Sequence, residues 1–384
     1  MIFTNAQLIL PDRIQCGSLT VRNGCIANIS RTANRRHPHT DLRGGFLAPG
    51  FIDLHIHGGL GRDTMEASAE AFRVITEFHL RGGTTSIALT TVTATEAEIL
   101  RVLTAAKPLR NKSLGGARIV GVHIEGPFIS KEKPGAQNPK QIRPPLESEW
   151  RKYLRFGRLV TEMTLAPEID GALPLIAALR KNGGIASGGH TNATEDHLRA
   201  ALAAGLNHST HTFNAMSTAM KRGPYRVAGM VEFALAHREI YCELIADGVH
   251  VAPTLMKMLF NAKGRDGVCL ITDATGGAGL KPGTSFQVGG VEARVTAEAA
   301  LTADGSALAG STLTMIEAVR RAVQLGGASL VDAVRMASLN PARQLRREDE
   351  LGSIEKGKRA DLVWFDKEFH VRGVWLDGDV RFLA

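Results

Sequence analysis

Cysteine is scarce in this chain. The four present, Cys16, Cys25, Cys242 and Cys269, show no Cys-x-x-Cys spacing. That argues against a disulfide framework and predicts reduced thiols in a cytoplasmic protein. No apolar run is long enough to span a bilayer, so no membrane partner is expected. The N-terminal Met-Ile-Phe-Thr-Asn-Ala-Gln lacks both a basic region and a continuous apolar one, so it does not read as a signal peptide. Aromatics are only 5% of residues. The net charge is +8, but the basic residues are scattered, with short clusters such as Arg35-Arg36 and Arg346-Arg347. Without a basic stripe interleaved with aromatics, nucleic acid is not an expected partner, and an acidic small substrate fits the charge better.

The 384 residues, 44% of them hydrophobic, allow one large domain or two ordinary ones with an ample core. Both ends read as β structure. Residues 2–10 and 18–30 carry short apolar runs around an Asn23-Gly24 hairpin turn, and 351–384 repeats the style with an Asp377-Gly378 turn. Neither piece buries a core alone, so 1–48 and 350–384 are expected to pair into one small β-sandwich domain. Between them, apolar runs fall at about 51–57, 84–90, 118–125, 160–166, 185–190, 206–211, 240–246 and 268–273. Stretches of helical composition separate most of these, such as 68–81, 96–107, 171–182, 195–204 and 252–262. Eight strands with intervening helices over 49–349 predict an α/β fold, a (β/α)8 TIM barrel, although counting strands leaves a doubly wound sheet open. Residues at about 281–310, rich in glycine, valine and threonine, break the rhythm. They predict a β insertion ahead of a helix starting near Ser311.

The most informative run is 49–58, Pro-Gly-Phe-Ile-Asp-Leu-His-Ile-His-Gly. On a strand, side chains two apart point the same way, so His55 and His57 share a face with Asp53. Two adjacent imidazoles form half of a metal site, or else a pair of satisfied polar residues at a strand mouth. The other strand ends weigh on that choice, because barrel enzymes put their chemistry there. They carry His123 and Glu125, His190, His208 and His211, Asp247 and His250, and Asp273. Ionisable residues at six of eight ends are hard to explain by packing, since burying them is costly unless they are paired or metal-bound. Imidazole and carboxylate suit zinc, iron and related divalent ions with a position left open for water. His123 and His208 can also be read as hydrogen-bonding neighbours of ligands. His79, His197 and His237 fall in helical stretches and read as surface or packing residues. Asp273, at the end of the last strand, is suited to take a proton from a water acidified by a divalent ion and pass it to a leaving group.

These residues resemble the amidohydrolase superfamily, and within it the N-acetylglucosamine-6-phosphate deacetylases. The likeness runs over essentially the whole chain. It passes through 49–58, His123-Ile-Glu-Gly-Pro-Phe128, Gly189-His-Thr-Asn-Ala193, Thr210-His-Thr-Phe-Asn-Ala-Met216, Ala246-Asp-Gly-Val-His250, Thr272-Asp-Ala-Thr275 and Leu308-Ala-Gly-Ser311. The resemblance implies hydrolysis of the acetamido group of N-acetylglucosamine 6-phosphate, giving glucosamine 6-phosphate and acetate. It implies that Glu125, His190 and His211 hold one divalent ion and that His55 and His57 can hold a second. Zinc is the first choice, with iron, cobalt or manganese as alternatives. Asp273 would be the catalytic base and then acid. Ala136, Gln137, Asn214, Ala215, His250, Leu308, Ala309 and Gly310 would contact the sugar, and Arg222 its phosphate. Members are commonly homodimers in which that arginine can come from the partner subunit.

Two departures bear on the substrate. Gln137 stands where many members carry histidine, and Lys221-Arg-Gly-Pro-Tyr-Arg226 stands where the family more often has Arg-Glu-Pro-Gly. Three other readings remain: an N-acetylgalactosamine-6-phosphate deacetylase, an amidohydrolase of a different kind such as a cyclic-amide hydrolase or deaminase, and a non-catalytic sugar-phosphate sensor. Many of the second kind use a modified lysine on the fourth strand, and 160–166 contains none.

Overall fold

Eight short strands pair side by side, all parallel and in chain order. They are Phe51–Ile56, Thr84–Thr91, Arg118–Glu125, Val160–Leu165, Ile185–Gly188, His208–Ser209, Tyr241–Ile245 and Val268–Ile271. A computed structural model describes residues 1–32 and 38–384, so the Arg35-Arg36 cluster lies outside the described residues. Helices cover the outside of the sheet, which is why strands such as Thr84–Thr91 and Arg118–Glu125 are buried at every position instead of alternating. The first and last strands meet through a side-chain clasp. Asp53 accepts from the Thr272 hydroxyl at 2.6 Å and from the Thr272 amide at 3.2 Å, while the Asp273 amide donates to the His55 carbonyl at 2.9 Å. Closure settles the barrel against the open sheet.

The five expected helical stretches appear as Ala69–Arg81, Glu96–Ala106, Ala172–Lys181, Glu195–Ala204 and Pro253–Lys263. Their starts follow capping chemistry. The Ser68 hydroxyl accepts from the Ala71 amide, and Thr95 and Glu98 cap each other reciprocally. The helix expected near Ser311 begins later, at Met315. Ser311 is instead used at the end of the last strand, its amide donating to the Asp273 carbonyl and its carbonyl accepting from the Thr275 amide. The insertion is a three-stranded antiparallel sheet, Ser285–Val288, Val291–Val295 and Ala300–Thr302. Its small apolar cluster joins Phe286, Val288 and Val295 to Val92 and Ala309 beside the strand ends.

The two chain ends share a second sheet with the order Asp379–Leu383, Val371–Leu376, Leu362–Phe365, Phe46–Pro49, Ile2–Ile9, Ile14–Arg22, Cys25–Ser30. Asn23-Gly24 and Asp377-Gly378 turn its hairpins with positive φ at both residues, as two-residue hairpin loops require. Phe3 and Trp375 lie three strands apart, about 14 Å in a flat sheet, yet their ring centroids are 4.8 Å apart. The sheet therefore folds over itself as a sandwich around Phe3, Leu19, Leu47, Leu362 and Trp375. Among the described residues, no helix is long and apolar enough to cross a membrane.

His79 is a packing residue, as its helical setting suggests, but a fully buried one. Its Nε2 donates to the Gly58 carbonyl at 3.0 Å. Burial pushes its pKa down to about 4 from the ordinary 6.5. Between those values the unfolded chain takes up a proton that the folded one refuses. Stability therefore falls with falling pH by about 1.4 kcal/mol per unit through that window and levels off below it, roughly 3 kcal/mol in all. His79→Gln, which keeps the donor, is expected to flatten this slope in denaturant titrations at pH 7, 5.5 and 4.5. Identical slopes for the two proteins would contradict it.

Candidate metal centre and active site

Closing the barrel brings the strand-end residues into one place. Glu125, at the end of the third strand, sits at the centre of four imidazoles. Its Oε1 lies 3.0 Å from His211 Nε2, 3.2 Å from His190 Nε2 and 3.5 Å from His55 Nε2, and its Oε2 lies 3.3 Å from His57 Nε2. Asp273 Oδ1 is 3.2 Å from His57 Nε2 and 3.5 Å from His55 Nε2. His190, His211 and Asp273 lie just beyond their strands with φ of 47°, 28° and 48°. This left-handed backbone is uncommon for non-glycine residues. It turns the chain sharply at the strand end and is typical of functional sites.

The donor set fits a divalent cation. His55 Nδ1 faces Glu243 Oε2 at 3.1 Å and His190 Nδ1 faces the Lys133 carbonyl at 2.9 Å. Both partners are acceptors, so the ring protons sit on Nδ1 and each Nε2 presents a lone pair. Those lone pairs point at a carboxylate, and a cation between them turns the repulsion into coordination. His190 Nε2 and His211 Nε2 are 3.1 Å apart, and His55 Nε2 and His57 Nε2 are 3.2 Å apart. Tetrahedral ligands about 2.05 Å from zinc are separated by about 3.3 Å. Two overlapping trios have this spacing, Glu125 with His190 and His211, and Glu125 with His55 and His57. Without a cation, the carboxylates draw protons onto the rings in its place, and His55 rises well above its ordinary range. Burial alone would raise the Glu125 carboxyl, but His55, His190 and His211 hold it well below the usual range. Burial would lower His57, but Asp273 and Glu125 push it up to about 9.

A cavity of about 230 Å³ opens over this centre. It brings together Ala136, Gln137, Asn214, Ala215, His250, Leu308, Ala309 and Gly310 with His57, Glu125, His190, His211 and Asp273. His55 lies beneath it, fully buried. Gln137 Oε1 accepts from the Thr93 amide at 2.7 Å, which fixes its amide so that Nε2 donates to Glu125 Oε2 at 2.6 Å. His250 Nδ1 meets Asp247 Oδ2 at 2.5 Å, leaving its other nitrogen for the cavity side. Arg222 is not brought to this cavity. It stands 71% exposed on a hairpin formed by Met220–Arg222 and Tyr225–Val227, 3.5 Å from Asp196.

Comparison with known proteins agrees with this geometry. A family model described as "Amidohydrolase family" matches residues 46–381. The chain belongs to that family. Among curated relatives, the N-acetylglucosamine-6-phosphate deacetylase of Bacillus subtilis (strain 168) is 38% identical over 379 residues, 97% of this chain and 94% of that one. The N-acetylgalactosamine-6-phosphate deacetylase of Escherichia coli O157:H7 is 34% identical over 342 residues, 89% of each chain. Among solved structures, a mutant N-acetyl-D-glucosamine-6-phosphate deacetylase from Mycobacterium smegmatis in complex with N-acetyl-D-glucosamine-6-phosphate superposes with a TM-score of 0.92. It is 32% identical, and the match covers 99% of both chains.

In this amidohydrolase the sequence reading missed the layer under the centre. Glu243 accepts from His55 Nδ1 and, at 2.9 Å, from the His211 amide, so one carboxylate orients two candidate ligands. His208 Nε2 lies 3.9 Å from Glu243 Oε1, and Glu162 lies in the same buried group. His123 donates to or accepts from Thr164 Oγ1 at 2.8 Å and faces His55 edge-on. His208 Nδ1 meets Gln344 at 3.4 Å, so neither His123 nor His208 hydrogen-bonds one of the candidate ligands as the sequence suggests. A single carboxylate inside each of the apolar runs Val160–Leu165 and Tyr241–Ile245 was the available signal for Glu162 and Glu243.

Proposed function

We propose that this chain hydrolyses the 2-acetamido group of N-acetylglucosamine 6-phosphate, giving glucosamine 6-phosphate and acetate. The observation that carries this reading is the convergence of Glu125, Asp273 and four imidazoles, three lining one cavity and His55 beneath it, in a chain similar over nearly its full length to deacetylases of phosphorylated amino sugars. Glu125, His190 and His211 would hold one divalent ion and His55 and His57 a second, with zinc favoured and iron, cobalt or manganese sharing the same donor chemistry. Such an ion supplies Lewis acidity that lowers the pKa of a water and polarises the acetyl carbonyl. The remaining work falls to the chain. Asp273 takes the water's proton as the water oxygen adds to the acetyl carbon. The same carboxyl returns that proton to nitrogen as the C–N bond breaks, so the amine leaves neutral. Gln137 and Glu243 hold the candidate ligands in orientation. Asn214, Ala215, His250 and the 308–310 segment line the space for the sugar and position it.

Arg222 is the phosphate ligand in this reading, acting across a homodimer in which its exposed hairpin reaches the cavity of a second copy, with Lys221 and Arg226 beside it. The four free thiols fit a cytoplasmic setting. Relatives that deacetylate N-acetylgalactosamine 6-phosphate are similar to nearly the same degree, so the sugar's C4 configuration is the open choice. Acetate release by the metal-loaded protein from both sugar phosphates in parallel tests this. A strong preference for the gluco substrate is expected. A galacto preference would move the assignment to that substrate, and silence on both with metal bound would overturn it.

A further inference from the structure

The Arg346-Arg347 cluster has no part in the chemistry above, yet it borders a second cavity. This cavity, about 220 Å³, lies at the opposite end of the barrel from the catalytic mouth, beside Val120 near the start of the third strand and Val160 and Thr161 at the start of the fourth. Arg110, Arg158, Arg346 and Arg347 line it, drawn from three stretches far apart in sequence. Glu350 is the only carboxylate among the lining residues, and it is already engaged. Arg347 Nε donates to Glu350 at 2.6 Å and Arg347 Nη1 donates to Asn111 at 2.9 Å. Among the described residues no side chain or carbonyl pairs with the guanidinium groups of Arg110, Arg158 or Arg346, and Arg110 Nε is buried without a partner.

Three guanidinium groups without a protein counterion border one concavity, Arg158 and Arg346 exposed and Arg110 half-buried. Burial, then Arg347 and Arg158, pull the Arg110 guanidinium down from its ordinary range, and burial and then Arg346 do the same to Arg180 alongside. The backbone is also held against its preference here. Arg346 has φ +56° in the turn after helix Leu339–Gln344, and the Arg347 amide closes that turn on the Ala342 carbonyl at 2.8 Å. Glycine is the usual occupant of this position. Asn111, across the cavity, also has positive φ, at +61°. A strained arginine that a glycine would relieve thus stands beside two other arginines without a protein partner.

We propose that this cavity binds the phosphate or diphosphate group of a small molecule, at a site separate from the catalytic centre. Guanidinium forks match phosphate oxygens in pairs, and a doubly charged anion supplies the counter-charge that Arg110, Arg158 and Arg346 do not find within the chain. The volume, close to that of the catalytic cavity, accommodates an orthophosphate or pyrophosphate group.

The test is calorimetric titration of inorganic phosphate and of pyrophosphate into the full-length, metal-loaded protein, with ionic strength held constant by chloride. Binding is expected, and R158A and R346G are each expected to weaken it by about tenfold or more with kcat unchanged. R346G separates charge from folding, because it removes the guanidinium while supplying the residue that the turn prefers. Its Tm should hold or rise as the affinity falls. Unchanged affinity in both variants would put the anion elsewhere, including in the catalytic cavity, and would overturn the proposal. Absence of binding heat for both anions at millimolar concentration would do the same.

Discussion

Asp273→Asn is expected to keep the bound metal and lose between about 10²- and 10⁴-fold in kcat, the range that positioned proton transfer contributes. The substitution preserves shape. The Asp273 amide still donates to the His55 carbonyl, closing the barrel, and its own carbonyl still accepts from the Ser311 amide. What changes is the side chain's ability to take and return a proton. Burial would raise the Asp273 carboxyl, but His55 and His57 hold it at about 2, so it is ionised and available as a base throughout the neutral range. Asparagine has no equivalent lone pair of that basicity. Metal content by elemental analysis and Tm should stay close to those of the parent. Turnover within a factor of a few of the parent would remove Asp273 from the mechanism. Loss of metal together with turnover would instead make it a ligand.

The second large effect concerns stability. Arg118 begins the third barrel strand and is only 3% exposed. Its Nη1 donates to Asp361 at 2.5 Å and its Nη2 to Asp377 at 2.9 Å. Both acids belong to the sheet of the chain ends. Asp361 also accepts from the Asp377 amide at 2.8 Å, so the guanidinium joins the base of the barrel to a hairpin of the other sheet. Arg118→Met removes the cation and leaves Asp361 buried and unpaired. Breaking a buried pair from one side in this way costs about 3–5 kcal/mol. The double variant Arg118→Met, Asp361→Leu should recover most of that loss, because replacing both partners with apolar groups of similar size is often neutral. Denaturant titration measures both, and kcat well below Tm should be unchanged, since the catalytic mouth lies at the other end of the barrel. A single-variant loss below about 1 kcal/mol would mean that water reaches Asp361.

Much of this molecule was legible because its signals are local. The five helical stretches lie within a residue of expectation, since caps such as Ser68 and Thr95 act within three residues of themselves. The strands were readable because burial on both faces leaves short runs rich in apolar and β-branched residues, several of them bounded by glycine or proline. The His-x-His pair followed from the two-residue period of a strand, and the strand-end histidines and acids stood out because packing alone does not account for them.

What the sequence by itself determined, then, was the set of strands, the helices between them and the pool of side chains available for chemistry. The tertiary structure alone decided which of these meet. Glu243 and His55 are 188 residues apart and become partners only when the barrel closes. Asp53 reads as a neighbour of histidines and proves to be the clasp on Thr272. Gln137 is turned to Glu125 by the Thr93 amide, a contact 44 residues distant in the chain. Arg222, matched by motif to a phosphate, stands in solvent away from the cavity of its own subunit, while Arg346, unremarked beyond its cluster, joins Arg110 and Arg158 in another. The physical reason is common to all of them. Periodicity and capping fix where a side chain points along its own element, whereas its partner is fixed by the register and closure of strands that local sequence does not encode.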